Sequence, residues 1–285
     1  MKILSFIRSL YRLVKGGIVI FVVLSGLAGY AVAKGSLPAT QLLSFVVGIC
    51  FLSAGSLALN QVQEHQIDAT MPRTKKRPLP QKDLSYGLAW ALSFGLLVAG
   101  LALLYRISPL AAGLGLATVL LYNGLYTIML KPRTPHAAIV GALPGAIPVL
   151  MGYAAAQNQI FTGPCLYVFA VMFFWQLPHF WVLALRHKDD YAQAGIPVLP
   201  AVAGEQTTLL AIAGTTILYL LCALLYPLFF ANRGLYVGLV LPAAAWVAWE
   251  CVRYYRSGGQ RQWFRFFLAL NTSMLLFIVV PALRV

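Results

Sequence analysis

Apolar residues run along this chain in long, nearly unbroken stretches separated by short polar ones. Stretches long enough to cross a bilayer, roughly 20 residues each, fall near 17–33, 39–60, 84–105, 109–130, 137–156, 160–185, 206–230, 234–254 and 262–283. The pattern predicts nine transmembrane helices in an all-α integral membrane protein, with residues 1–285 forming a single membrane-embedded domain. Residues 1–16 differ from the rest. Phe6, Leu10, Tyr11 and Val14 make a helical apolar stripe beside Lys2, Arg8, Arg12 and Lys15, the pattern of a basic amphipathic segment. A basic stretch, an apolar run and Ala31-Val32-Ala33 also imitate a secretory signal with its cleavage site. The long basic region, its apolar stripe and a following run able to span favour an uncleaved first helix.

Composition agrees with the pattern. The 285 residues are 60% hydrophobic and 10% charged, with a mean hydropathy of +0.80, outside the range of soluble domains. The net charge of +14 is dispersed among membrane loops, so it argues for anionic lipid and an anionic substrate and against nucleic acid. With the N-terminus in the cytoplasm, Lys34, Arg106, Arg233 and Arg284 fall on the opposite face and every other Lys and Arg on the cytoplasmic one. A multi-pass protein of a bacterial-type inner membrane follows, its polar loops at 61–83, 131–136 and 186–205 facing the cytoplasm. Cys50, Cys165, Cys222 and Cys251 lie far apart in apolar segments without disulfide or metal spacing, which makes them packing residues.

The acidic residues are few and gathered. Glu64, Asp68 and Asp83 follow the second span, Asp189, Asp190 and Glu205 follow the sixth, and Glu250 stands apart, three residues from Arg253. Asn60, Glu64 and Asp68 recur every fourth residue and share one face if the second helix continues beyond the membrane. A carboxamide and two carboxylates supply the hard oxygens that Mg²⁺ prefers, in a shell completed by water and substrate phosphate. A solvated helix end would show the same spacing.

Arg73, Lys75, Lys76 and Arg77 follow, among Pro72, Pro78 and Pro80, which forbid a continuing regular helix. Positive-inside bias alone explains such charge, but beside carboxylates it describes donors for a phosphate. Asp189 and Asp190 repeat the arrangement, flanked by Arg186 and Lys188 and followed by Ile196-Pro197-Val198-Leu199-Pro200, as a faint internal repeat. Lys131 and Arg133 add a third basic loop. Two acidic motifs and three basic loops on one face predict a site for a divalent metal and a diphosphate.

The segments NQVQEHQIDATMPRTKKRPLP, YTIMLKPRTPHAAIVGALPGAIPVLMGYAA and FFWQLPHFWVLALRHKDDYAQAGIPVLP resemble, in order, the UbiA superfamily of intramembrane prenyltransferases. Lys188-Asp189-Asp190-Tyr191, the Ile196–Pro200 run and Pro178-His179-Phe180-Trp181 are most similar to its haem O synthase branch. The resemblance implies that Asn60, Glu64 and Asp68 form the first catalytic motif, with Glu64, Asp68, Asp189 and Asp190 as Mg²⁺ ligands. Glu64 stands where the family commonly has Asp, and His65 and Gln66 depart as well. Arg73, Arg77, Lys131, Arg133 and Lys188 are implied to bind substrate, as are Tyr126, His179 and Tyr191.

The implied reaction moves a farnesyl group from farnesyl diphosphate to a vinyl group of protoheme IX. Haem is then a substrate and not a fixed cofactor, consistent with the absence of a C-x-x-C-H motif. A prenyl transfer to a quinone precursor is the nearest alternative. A transporter or lipid-binding protein is a more distant one, since transporters place their charges near the bilayer midplane. Only His179 is clearly ionisable at membrane depth, which marks it as a functional candidate, either against porphyrin or hydrogen-bonded across helices.

Overall fold

The computed structural model describes residues 2–259 and 261–283; Arg284, assigned to the opposite face, lies outside them. The amphipathic α1 (Lys2–Leu13) leads to α2 (Gly16–Val32), followed by α3 (Ala39–Gln63) and the short α4 (His65–Thr70). Next come α5 (Tyr86–Ile107) and α6 (Pro109–Val119), which continues as a π-helix over Leu120–Leu130. After α7 (Ala137–Gln157) and α8 (Gly163–Arg186), α9 (Lys188–Gln193) and α10 (Leu199–Val202) lead to α11 (Gly204–Leu224). The chain closes with α12 (Arg233–Leu235), a π-helical turn at Tyr236–Val240, α13 (Leu241–Arg256) and α14 (Trp263–Val279).

Among the described residues, eight helical bodies are each long and apolar enough to cross a membrane. A ninth is counted when α1 and α2, bent by 52°, are taken together. The 17 residues of α2 rise about 26 Å at 1.5 Å per residue, close to the hydrocarbon thickness. This helix is therefore nearly long enough to span by itself, with α1 bent away at its end. The bend is built by specific contacts. Lys15 adopts a left-handed φ of 51°, and Gln61 on α3 donates to the carbonyls of Arg12 and Leu13, both at 2.7 Å, which satisfies the end of α1. The Tyr11 ring occupies the space over Gly16, where a Cβ would fall 2.0 Å from it.

Small residues set the closest helix approach. A Cβ on Gly29 of α2 would lie 2.0 Å from the Val149 carbonyl oxygen, and one on Gly152 of α7 would lie 1.8 Å from that of Gly26. The two backbones touch there, as membrane helices do where glycine removes the side chain.

Two large apolar cores result, with two smaller clusters around Leu13 and Val19. One, centred on α8, α11, α13 and α14, holds Tyr167, Trp181, Tyr219, Tyr254, Phe266 and Phe277. The other, from α2, α3, α5, α6 and α7, holds Tyr30, Phe45, Leu52, Leu97, Leu104 and Met151. The repeat expected from the acidic loops has a structural counterpart, because α3 breaks at Glu64 into six-residue α4 and α8 breaks at His187 into six-residue α9. Asp83 does not cap the helix that follows it. Ser85 caps α5 by accepting from the Leu88 amide, while Asp83 accepts from Ser9 of α1 at 3.5 Å.

Candidate active site

Between the two cores lies a cavity of about 1000 Å³, walled by α2, α3, α6 with its π-helical continuation, α7, α8 and α14. Its polar end is built on α3. Asn60 and Glu64 both line it, one turn apart, and each is held by a lysine from another element. Lys15 Nζ donates to Asn60 Oδ1 at 2.8 Å, and Lys131 Nζ donates to Glu64 Oε1. Burial raises the Glu64 pKa and the Lys131 ammonium overcomes it, so the carboxyl is left below its ordinary value. The same pairing outweighs burial at Lys131 and moves its pKa up. Lys15 has no carboxylate in direct contact. Burial, helped by the nearby Arg77 guanidinium, pushes its ammonium down to about 7.

The π-helix supplies the facing wall. Its wider turn sends Asn123 and Thr127 toward α3, where Asn123 accepts from Ser56 Oγ at 2.6 Å and Thr127 accepts from Asn60 Nδ2 at 3.2 Å. Tyr122 and Tyr126 stack at 5.8 Å and both line the cavity. Such departures from α-helix concentrate at functional sites.

Asp68 is arranged differently from the expected single face. The helix break after Glu64 carries it out of the cavity wall, where it is 1% exposed and accepts from Arg77 Nη1 at 2.6 Å. Its Oδ1 is buried without a hydrogen-bond partner. Arg77 lines the cavity, as does Arg73, which reaches the hydroxyl of Tyr191 at 3.2 Å and lies over its ring. Tyr191 thus joins the wall from α9. The other residues expected at the site lie outside the wall: Asp190 sits 3.8 Å from His187 Nδ1, and Arg133 donates to the Met129 carbonyl. Lys188 pairs with Glu205 and, with Asp189, lines a separate small surface pocket.

His179 lines the apolar body of the cavity from α8. Its ring packs against those of Trp175 at 4.7 Å and Phe267 at 4.8 Å. Both His179 Nδ1 and Trp175 Nε1 are buried without a partner, a costly state that a ligand with polar groups relieves. Nearby Gln176 donates to the Ala142 carbonyl at 3.1 Å and also lines the cavity. Half-exposed Ile18 and Phe21 on α2, and Phe264 and Leu268 on α14, line it too, so it opens sideways toward lipid as well as at its polar end.

The sequence profile of the UbiA prenyltransferase family matches residues 22–273. The chain belongs to this family. Among its relatives, a protoheme IX farnesyltransferase of Bdellovibrio bacteriovorus is 47% identical over 274 residues, covering 95% of this chain and 94% of that one. A protein of the same name from Nitrosomonas eutropha is 36% identical, over 87% and 84% of the two chains.

The fold agrees with solved UbiA-type structures. One, from work on digeranylgeranylglyceryl phosphate synthase, has a TM-score of 0.79 at 18% identity and covers 97% of this chain and 99% of its own. Another, a UbiA homologue from Archaeoglobus fulgidus bound to DMAPP and Mg²⁺, has a TM-score of 0.66 at 12% identity and covers 95% and 99%.

Among the cavity-lining residues not expected from the sequence are Lys15, Tyr122 and Gln176. Lys15 reads as one more basic residue of the N-terminal segment; the Gly16-Gly17 pair after it is the signal that the helix turns there. Tyr122 lies one turn before Tyr126 in an ordinary-looking apolar run, and Gln176 is an uncharged residue inside a span. For a metal, no group of three or more His, Cys, Asp or Glu side chains is brought together among the described residues. Glu64 in the cavity wall, and outside it Asp68 with one unpartnered carboxylate oxygen, each offer the hard oxygen that an ion such as Mg²⁺ takes when it shares its shell with substrate phosphate.

Proposed function

We propose that this UbiA family member transfers a farnesyl group from farnesyl diphosphate to a vinyl group of protoheme IX, giving haem O. The observation that carries the reading is a single cavity joining a mouth of fixed positive charge to an aromatic, apolar body. Lys15, Arg73, Arg77 and Lys131 meet at that mouth beside Asn60 and Glu64, whereas the body holds Trp175, His179 and Phe267. A diphosphate suits the first and a prenyl tail with a flat apolar acceptor the second. The likeness to proteins named protoheme IX farnesyltransferase supports haem as that acceptor.

In this reading Arg73 and Arg77 hold the diphosphate, and Lys131 and Lys15 face the charge that develops as the allylic C–O bond breaks. Glu64 and Asp68, with Asn60 beside them, would hold Mg²⁺, which would supply neutralising charge to the leaving diphosphate. Asp189 and Asp190 sit on α9, the helix that carries Tyr191 into the wall, but lie outside the wall themselves and hold no group in this reading. Lys188 and Arg133 lie outside it as well, on Glu205 and the Met129 carbonyl. The cavity excludes bulk water from the allylic cation, and aromatic rings face it. The terminal vinyl carbon bonds to the farnesyl carbon that diphosphate has left, and one water then adds to the cation on the porphyrin side and gives up a proton, leaving a hydroxyl.

The mouth faces the cytoplasm of a bacterial inner membrane in this reading, in keeping with the basic loops around it. The test is direct. Purified protein with haem B, farnesyl diphosphate and Mg²⁺ is expected to produce haem O, read by mass. Transfer of the farnesyl group to an added quinone precursor, with diphosphate released and no haem O formed from haem B, would assign the acceptor to the other branch of the family.

A further inference from the structure

Lys15 stands in a backbone conformation that lysine disfavours. With φ at 51° and ψ at 54° it takes the left-handed place that glycine commonly fills at helix ends, although two glycines follow it directly. Gly16 is needed where it is, because the Tyr11 ring lies over it. A residue with a side chain keeps such a backbone where its surroundings overdetermine it. Two consecutive residues of α3 do so here. Asn60 Oδ1 accepts from Lys15 Nζ at 2.8 Å, and Gln61 Nε2 donates to the carbonyls of Arg12 and Leu13, both at 2.7 Å. One holds the tip of the lysine and the other the chain that leads to it.

Gln61 itself does not line the cavity and is 1% exposed. Its Oε1 is buried without a hydrogen-bond partner, so the amide serves through its donor end. The two carbonyls also fix which way that amide points, since turning it over would set three oxygens together. The end of α1 thereby gains two of the partners that the last turn of a helix lacks. The remaining anchors of α1 are less directed. Ser9 donates to Asp83 at 3.5 Å, a long bond, and Leu13 packs among Ala58, Val62 and Leu84, an apolar contact without direction.

Resting on the reading of Lys15 as a group that faces the departing diphosphate, we propose that Gln61 is the positioning residue for that lysine. By holding the end of α1 against α3, it fixes the left-handed turn and with it the point at which the ammonium enters the mouth. A lysine stem is long and flexible. Anchoring its main chain to the residue next to Asn60 removes that freedom before substrate arrives, which is the preorganisation that stabilising a developing charge requires.

The experiment uses the full-length protein in lipid nanodiscs. Gln61→Leu is expected to lower kcat at least about tenfold while KM for farnesyl diphosphate stays within about threefold, because Arg73 and Arg77 still hold the diphosphate in the ground state. In a Lys15→Met background the same change is expected to cost less than about twofold more, since its effect runs through the lysine. Hydrogen exchange over residues 14–19, read by mass with no ligand present, is expected to quicken at least about tenfold as the turn bonds of the Val14, Lys15, Ile18 and Val19 amides open. Ser9→Ala controls for loosening α1 in general and is expected to leave kcat within about twofold, because the bond it removes is weak. Gln61→Met, which keeps the length without the donor, replaces the leucine variant if that one does not fold.

A loss of kcat that persists in full in the Lys15→Met background, a rise in KM that matches it, or unchanged exchange at 14–19 overturns the positioning role, as does a Lys15→Met protein as active as wild type. Wild-type protein that turns over farnesyl diphosphate with neither haem B nor a quinone precursor overturns the reading of the mouth instead, and exchange at 14–19 then decides by itself whether Gln61 holds the turn.

Discussion

Lys131 Nζ donates to the carboxylate of Glu64, tying the end of the π-helical segment to the residue where α3 breaks. Both side chains are largely buried, and the two residues stand 67 positions apart in sequence. The pair stands at the mouth of the cavity, one helical turn beyond Asn60 on α3. Removing one member leaves the other charge poorly solvated, which costs about 3–5 kcal/mol for a fully buried pair and less for this one. Glu64→Gln and Lys131→Met are each expected to reduce turnover by at least about tenfold, with the double variant no worse than the poorer single one. Simple multiplication of the two losses in a double-mutant cycle would show that they act separately.

The pH dependence of anion binding should follow Lys15. Its pKa is lowered to about 7, so the folded protein binds fewer protons there than an unfolded chain and gains stability as pH rises from about 7 toward the ordinary lysine value. An anion in the mouth favours the protonated form and pulls the opposite way. Diphosphate binding is therefore expected to take up a proton near neutral pH and to weaken as pH increases. Calorimetry in buffers of different ionisation enthalpy reads this uptake; Lys15→Met should abolish it, and its survival in that variant would assign the proton to another group.

Asp68 and Asp83 make a contrast of environments. Asp68 is buried against Arg77 at 2.6 Å, whereas Asp83 accepts only a long bond from Ser9. Asp68→Asn is expected to lose turnover by more than about a hundredfold, or about 2.8 kcal/mol, and Asp83→Asn to stay within about threefold. Comparable losses in two folded variants would remove Asp68 from the site.

Metal removal tests the diphosphate chemistry as a whole. Chelation is expected to abolish turnover and Mg²⁺ to restore it, with Glu64→Gln raising the concentration needed. Product formed at an undiminished rate in chelator, with the metal content verified, contradicts the assignment of Glu64 and Asp68.

His179 separates the two substrates. With Nδ1 unpartnered and its ring between Trp175 and Phe267, His179→Ala is expected to weaken haem binding by about tenfold, or about 1.4 kcal/mol. Farnesyl diphosphate binding should be nearly unchanged, and Arg77→Ala should do the reverse. Normal haem binding in a folded His179→Ala protein would make His179 a packing residue.

Much of this molecule was determined by the sequence alone, because lipid imposes a simple rule on it. Every backbone polar group in a bilayer must be satisfied within its own helix, so apolar length reports each crossing directly. The polar loops were legible for the same reason: charge is excluded from the spans, and Asn60, Glu64, Arg73, Arg77 and Lys131 stand out against an apolar chain. What only the tertiary structure decided is which of those groups share a space. Periodicity places Asn60, Glu64 and Asp68 on one face of a continuing helix, but the break at Glu64 sends Asp68 behind Arg77.

Lys15 reaches Asn60 because a left-handed residue between α1 and α2 turns it inward, and Tyr122 faces the cavity because a π-helix rotates it there. The π-helix has no signature in residue type and the turn at Lys15 only the Gly16-Gly17 pair after it, while contacts made 45 or more positions away hold both, such as Lys15 with Asn60 and Ser56 with Asn123. Leu52 and Met151 of the cavity wall likewise meet over Gly115 of α6. Such a meeting is a property of packing, and local sequence does not encode it.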